Sequence, residues 1–258
     1  MEPLVPGVCS EVGKLRTVLV HRPGAALERL TPANRSDFLF DDVVWVERAA
    51  AEHDAFVQLM RSRDIEVLYL HELLAEAFEA SVEAREEVIS SAVSSYTVGL
   101  SLVSELRSFL RALPSAVLAR TLTGGLLVSE MDGIDVEALR RRSLGAVLAE
   151  PDSFVLPPLP NTVFTRDSSA WLYGGVVLPP LFWAARRMEV VLVSLIYRFH
   201  PRFAAADFDF WYPAAGDTGS GGRDEHGARR RGRLRCHGIR EPDGGDHLLL
   251  QARGAAGG

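Results

Sequence analysis

Apolar residues are spaced in distinct ways along this chain, and the spacing divides it. Residues 16–21 (RTVLVH) form a short apolar run that Arg22, Pro23 and Gly24 end with turn chemistry. Across residues 44–63 the apolar positions Val46, Ala49, Ala50, Val57 and Met60 recur at helical spacing. Residues 65–70 (IEVLYL) supply a second strand-like run, so the first 75 residues read as a βαβ unit. If both strands share a sheet, the crossover makes them parallel and right-handed.

Residues 71–150 change character. HELLAEAFEASVEAREEVISSAV and SLVSELRSFLRAL are rich in Glu, Ala and Leu at helical spacing. Pro114 ends one predicted helix, Ser115 can cap the next, and Gly124 and Gly125 break the pattern. Residues 135–146 read as helix again, so the stretch predicts a helical insertion of roughly four or five helices, almost without strands. From Phe154 the strand pattern returns in FVLPPLPNTVFTRDSSAWLYGGVVLPP, punctuated by Pro and Gly. Residues 182–199 then read as a helix ended by His200 and Pro201, and residues 208–212 as a further strand.

The length, 258 residues with 47% hydrophobic positions, suits one core or one domain carrying a sizeable insertion. No apolar run is long enough for a membrane-spanning helix, and MEPLVPGVCSEVGK lacks the pattern of a secretory signal. Cys9 and Cys236 are too few for a disulfide framework or a thiolate zinc site. The formal charge of −6 argues against general affinity for nucleic acid. A soluble cytoplasmic α/β protein is the expectation.

Glycine sets the tail apart: 10 of the 22 glycines fall in residues 1–215 and 12 in residues 216–258. The tail has one short apolar run, at residues 248–250, and lacks the periodicity of packed elements. Such composition buries too little surface to offset its ordering entropy, so the tail is expected to be mostly disordered. Its basic run at residues 229–235 reads as solvated rather than as an RNA site.

The sharpest local feature is PNTVFTRD at residues 160–167, where Asn161, Arg166 and Asp167 flank an apolar segment. A carboxylate there is partly desolvated and needs a cation or donors to stay charged. The residues leave two readings open, a structural Arg166–Asp167 turn or a cation-binding carboxylate. Arg186 and Arg187 fall on the following predicted helix, where a solvated face is the ordinary reading. FDD at residues 40–42 could clamp a cation, or Asp42 could cap the next helix. His53 lies on an apolar stripe, where a histidine is more often a hydrogen-bonded core residue than a ligand. His200 marks a helix end. No metal or nucleophile motif is present; Cys9 has no identifiable base beside it, and Cys236 lies in the tail expected to be disordered.

At these residues a family resemblance becomes specific. SEVGKLRTVLVHRPG, RLTPANRSDFLFDDVVWVERAAAEHDAF, EVLYLHELLAE, SELRSFL and LPPLPNTVFTRDSSAWLYGGV resemble arginine deiminase in order and spacing, over about residues 7–212. The resemblance implies the pentein fold, ββαβ units arranged as a propeller with a helical-bundle insertion. Here that means a partial propeller: a first unit over residues 7–75, the insertion over 76–151, a second unit over 152–215 and a non-family tail over 216–258. It implies hydrolysis of L-arginine to L-citrulline and ammonia, the first step of arginine catabolism, without metal or organic cofactor. A cysteine thiolate attacks the guanidinium carbon, and a histidine activates the water that cleaves the intermediate. Carried over by position, Asp167 is a guanidinium-binding carboxylate, Asn161, Phe164 and Leu39 line the substrate pocket, and Arg186 binds the α-carboxylate. L-arginine is the implied partner, and a homo-oligomer the implied assembly.

After Trp211 and Tyr212 the family's EGGD, HxD and C-terminal cysteine motifs do not appear, so the second carboxylate, the histidine and the nucleophile are expected to be missing. DGGD at residues 243–246 and Cys236 lack the family's context. The Arg, Gly and Ala bias of the tail resembles a GC-rich gene read in a shifted frame. Residues 228–233 can be back-translated so that a one-base shift spells Leu-Glu-Gly-Gly-Asp-Val. The expectation is a frameshift near residues 213–228, leaving either a truncated inactive fragment or an arginine-binding pseudoenzyme.

Overall fold

The computed structural model describes residues 6–94, 98–99, 102–131, 150–212 and 249–251. The predicted helix at 135–146, the basic run at 229–235, Cys236 and the DGGD at 243–246 lie outside the described residues.

Strand β1 (Thr17–Val20) is buried at every position, as an unbroken apolar run demands of a strand covered on both faces. Helix α1 (Ala25–Glu28) and a 3-10 turn (Arg35–Phe38) lead to α2 (Val46–Arg61), which buries Val46, Ala50, Val57 and Met60. Strand β2 (Glu66–Tyr69) pairs parallel with β1, Thr17 opposite Glu66 and Val20 opposite Tyr69, as the βαβ reading requires. Asp42 caps no helix: its Oδ1 accepts from the Val43 N–H at 2.7 Å, and α2 starts after Trp45.

Four helices among the described residues follow: α3 (Leu70–Ala80), α4 (Val82–Ala92), α5 (Val103–Ala112) and α6 (Ser115–Gly124). Ser81 caps α4 by accepting from the Ala84 N–H at 3.1 Å. Ser115, in contrast, is the first residue of α6 rather than its cap, because Pro114 already holds the extended capping position. The stretch also contains a strand, β3 (Leu126–Leu127), paired antiparallel with β4 (Phe154–Leu156). Two arginines close helix ends here. Arg107 donates to the Val93 carbonyl just beyond α4, and Arg85 donates to the carbonyls of Leu110, Arg111 and Leu113 at the end of α5.

Beyond β4 come a 3-10 turn (Pro160–Val163), the short helix α7 (Thr165–Ser168) and the antiparallel pair β5 (Ala170–Leu172) and β6 (Gly175–Val177). Helix α8 (Arg187–Phe199) and helix α9 (Pro201–Ala204) follow, then β7 (Asp209–Tyr212), parallel to β6. The sheet is thus built strand, strand, helix, strand. Gly175 is required there, since a Cβ would come within 2.3 Å of the Trp211 indole nitrogen. The predicted helix over 182–199 begins five residues late, at Arg187, because Trp183 is extended and Ala184–Arg186 make a 3-10 turn.

Three sheets result, ordered β2-β1-β8, β3-β4 and β5-β6-β7, where β8 (Leu249–Gln251) pairs parallel with β1. None closes into a barrel or ring among the described residues. In the tail's apolar run, Leu249–Gln251 take backbone partners from the edge of β1.

The main core is organised by α8, whose Val190, Leu192, Val193, Leu195, Ile196 and Tyr197 are buried against α3 and α4. Buried Tyr197 shares its hydroxyl with Ser169 Oγ at 2.9 Å and the Trp171 indole N–H at 3.2 Å. His200 does mark a helix end. Its Nδ1 accepts from the Arg202 N–H, capping α9, so its Nε2 donates to Glu76 on α3 at 2.7 Å. No described helix is long and apolar enough to cross a membrane.

Replacing Arg85 by alanine strips three carbonyls at the end of α5 of a shared cationic donor. We expect a loss of about 1–3 kcal/mol of unfolding free energy, read as a lower urea midpoint at unchanged slope.

Candidate functional site

The predicted residues are brought together by two consecutive turns. The Phe164 N–H donates to the Asn161 carbonyl at 2.9 Å, and the Asp167 N–H to the Phe164 carbonyl at 3.1 Å. Asn161, Phe164 and Asp167 therefore recur every third residue along one curled segment. Thr165, buried beneath it, donates its hydroxyl to the Leu19 carbonyl at 3.0 Å and fastens α7 to β1.

The Leu39 loop is tied to the same segment. Buried Asn161 donates its side-chain amide to the Phe38 carbonyl at 2.7 Å, and the rings of Phe40 and Phe164 lie 6.3 Å apart at a shallow angle. Leu39 itself is exposed and adopts a left-handed backbone, φ 65° and ψ 35°. That conformation is strained for a branched, bulky side chain.

Arg186 completes the cluster. Its Nη1 donates to Asp167 Oδ2 at 2.9 Å, its Nε and Nη2 fork onto Glu189 at 3.0 and 2.8 Å, and its Nη2 reaches the Asn161 carbonyl at 3.5 Å. One expectation changes: Arg186 precedes α8 rather than lying on its solvated face, and only Arg187 is exposed at the helix start. Arg166 and Asp167 lie in one short helical turn, with Arg166 forked onto Glu11 at 2.7 and 3.2 Å.

Glu189 is the residue that the sequence reading missed. Its one signal was an acidic residue three positions after Arg186 inside the apolar run MEVVLV. It is 2% exposed, against 46% for the Asp167 side chain. Burial raises its pKa from the ordinary 4.5 to about 7, opposed by the bonds from Arg186 and helped by the nearby Asp167 charge. At Arg186 burial pulls the pKa down, but pairing with Glu189 and Asp167 outweighs it and the net shift is upward. The two directions fit together because Arg186 has two carboxylates to hold and Glu189 has one cation.

The remaining candidates lie apart. His53 is on the buried side of α2, its Nδ1 3.8 Å from Asp54 Oδ1. Burial lowers its pKa and those of His21 and His71, His21 to about 3. A cavity of about 420 Å³ beside them is lined by Arg22, Asp54, Arg61, Tyr69 and His71 among others, and by none of the five predicted residues. In the FDD segment the Asp41 carbonyl accepts from Arg35 and the Asp42 carboxylate from the Val43 N–H. Among the described residues no group of His, Cys, Asp and Glu is placed to hold a metal, and Cys9 is free and exposed.

This arrangement offers a half-exposed carboxylate, a guanidinium fixed beside it by a buried acid, and an aromatic ring on the same turn. Such a set can hold a ligand bearing both a cation and an anion. A sequence model of the arginine deiminase family matches residues 36–222. The chain is 48% identical over 198 residues to a protein named arginine deiminase from Mycolicibacterium gilvum, covering 76% of this chain and 48% of that protein. It is 47% identical over 200 residues to one from Mycobacterium bovis, with the same coverage, and 46% identical to one from Rhodococcus opacus, covering 78% and 48%. The chain spans about half the length of the curated relatives it matches.

The raised pKa of Glu189 carries a sign. The folded state holds the proton that the unfolded state has released between pH 4.5 and about 7, so this group's contribution to stability falls as pH rises through that window. We expect the stability of the unaltered chain relative to Glu189→Gln to decline over the same window and level off above it. Urea titrations of both proteins across pH 4–8 check this, and a difference that rises with pH contradicts it.

Proposed function

The chain belongs to the arginine deiminase family, and from that premise we propose that it forms the substrate-holding part of an arginine deiminase site. The reaction is that of the family: L-arginine is hydrolysed to L-citrulline and ammonia, without metal or organic cofactor. The observation that carries this reading is the convergence of Asn161, Phe164, Asp167 and Arg186, with the Leu39 loop, in one place.

Each group has a task that its surroundings suit. Asp167 is exposed enough to meet a ligand, and a carboxylate accepts two parallel N–H bonds from a planar guanidinium. Arg186 is permanently charged; Glu189 holds its Nε and Nη2, and its Nη1, turned to the half-exposed Asp167, is the edge that suits an α-carboxylate. Phe164 and Leu39 supply apolar surface for the methylene chain, and Asn161 orders the pocket through the Phe38 carbonyl. The fold proposed is a partial pentein-type propeller. β5, β6, α8 and β7 form one ββαβ unit within residues 152–215, a first unit lies at 7–75, and the helices of 76–151 are the insertion. The setting proposed is cytoplasmic, with L-arginine as small-molecule partner and a homo-oligomer as assembly.

A second reading, arginine binding without turnover, is favoured by one observation. Among the described residues the partners of Asp167, Arg186 and Glu189 are one another and backbone groups, a set that binds charge without supplying a nucleophile.

Two measurements separate these readings. Citrulline formed by the purified chain supports turnover; heat of arginine binding without citrulline supports the second. Asp167→Asn is expected to weaken arginine binding about tenfold or more, the worth of one charge-assisted pair, with an unchanged urea midpoint. Unchanged affinity in that variant removes Asp167 from the guanidinium role.

A further inference from the structure

Arg186 stands where two demands meet. Its Nε and Nη2 are held by Glu189, which is almost fully buried, while its Nη1 lies 2.9 Å from Oδ2 of Asp167. Asp167 is the carboxylate to which the reading above gives the substrate guanidinium. One of its two oxygens is therefore already occupied by a guanidinium of the protein. The two ends of this contact differ in mobility: the Arg186 side chain is 13% exposed and Glu189 is fixed in the core, whereas Asp167 is nearly half exposed. The Glu189 end is a pivot, and the Asp167 end is open to exchange.

We propose that Arg186 sets specificity by competition: Glu189 positions it against Asp167, and a guanidine ligand displaces it readily only if the ligand brings its own anion. The proposal rests on the reading above, in which Asp167 takes a guanidinium and Arg186 a carboxylate. An arginine-like ligand exchanges charge for charge. Its guanidinium replaces Arg186 at Asp167, and its α-carboxylate replaces Asp167 at Arg186, so no ion is left short of a partner. A guanidine without the carboxylate, such as agmatine, wins Asp167 only by leaving Arg186 with Glu189 and the Asn161 carbonyl and its Nη1 without an acceptor. That leaves donors of a largely buried cation unpaired, which is costly. Discrimination against decarboxylated ligands therefore exceeds the loss of one contact. Glu189 touches no ligand in this scheme; it acts through Arg186 as a positioning residue.

The test is calorimetric titration of the full chain with L-arginine and with agmatine. The unaltered protein is expected to prefer arginine about tenfold or more. The double variant Arg186→Gln, Glu189→Gln replaces the ion pair by an amide pair and removes the competitor. It should lose arginine affinity about tenfold and gain agmatine affinity about threefold, collapsing the preference. Glu189→Gln alone should lower the arginine-to-agmatine ratio several-fold, a ratio that a purely structural role leaves unmoved. If the double variant fails to melt cooperatively, Arg186→Lys makes the same comparison, since lysine keeps the charge beside Glu189 without the fork. Agmatine affinity that stays level or falls while arginine affinity drops reduces Arg186 to a simple carboxylate contact; the competition is then overturned and the arginine-binding reading stands. Binding of neither ligand, by any of the proteins, overturns the reading and the inference together.

Discussion

A guanidinium cannot shed its charge inside a protein, so Arg186 must be surrounded by acceptors wherever the chain buries it. Meeting that requirement joins three segments that are distant in sequence. Glu189 supplies the counter-charge from the first turn of α8, where the helix N-terminus also favours an anion. Asp167 supplies the second carboxylate from α7, and the Asn161 carbonyl a third acceptor from the turn before it. Asn161 then passes the constraint on through its side chain to the Phe38 carbonyl. The position of one cation thus fixes the start of the most buried helix, the curl of residues 160–168 and the attachment of the Leu39 loop.

The same helix explains why the core and the site cannot be treated separately. The apolar side chains of α8 fill the space between α3 and α4, and its C-terminal neighbour His200 is bonded to Glu76 on α3. Arg202, two residues on, forks onto Glu66 of β2 with both contacts at 2.6 Å, and Glu66 also accepts from the Thr17 hydroxyl. At its N-terminus α8 holds the site, and at its C-terminus it holds the first parallel strand pair. A shift of this helix along its axis would disturb Arg186 and the β1–β2 pair together. The anchoring at both ends makes the site geometry a property of the packed core rather than of the loop that carries Asp167.

Elements with a strong local signal were legible in the sequence. The runs RTVLVH and IEVLYL read as β1 and β2, and the short apolar runs beyond Phe154 as the strands up to β7; in β1 burial on both faces leaves a continuous apolar run, whereas β2 is exposed at Glu66. Elements without such a signal were not. β3 has two residues and exists through its partner β4, and β8 exists through the open edge of β1. Ser115 has the chemistry of a cap, yet Pro114 already takes the extended position, so backbone geometry overrides side-chain preference. The candidate residues were found one at a time, from polar residues beside an apolar strand and from family motifs. Their connections were not: the contact of Arg186 with Asp167 spans 19 positions and that of Arg166 with Glu11 spans 155. Glu189 escaped because an acid in an apolar helix reads as an exception until its cation is known.

Leu39 shows how far the constraint extends. A left-handed backbone costs a leucine roughly 1–2 kcal/mol, and nothing in its own exposed side chain repays that. The compensation comes from its neighbours: Phe38 lends its carbonyl to Asn161, Phe40 lays its ring near Phe164, and Arg35 closes the loop on the Asp41 carbonyl. A glycine would relieve the backbone but would also widen the unfolded ensemble and remove an exposed apolar side chain. Strain of this kind persists where the surroundings over-determine a conformation, and here the over-determination runs through Asn161, the residue that also contacts Arg186. The strained loop and the buried ion pair are therefore two ends of one hydrogen-bonded chain. A ligand that moved Arg186 would be felt at Leu39 through Asn161, with no direct contact required.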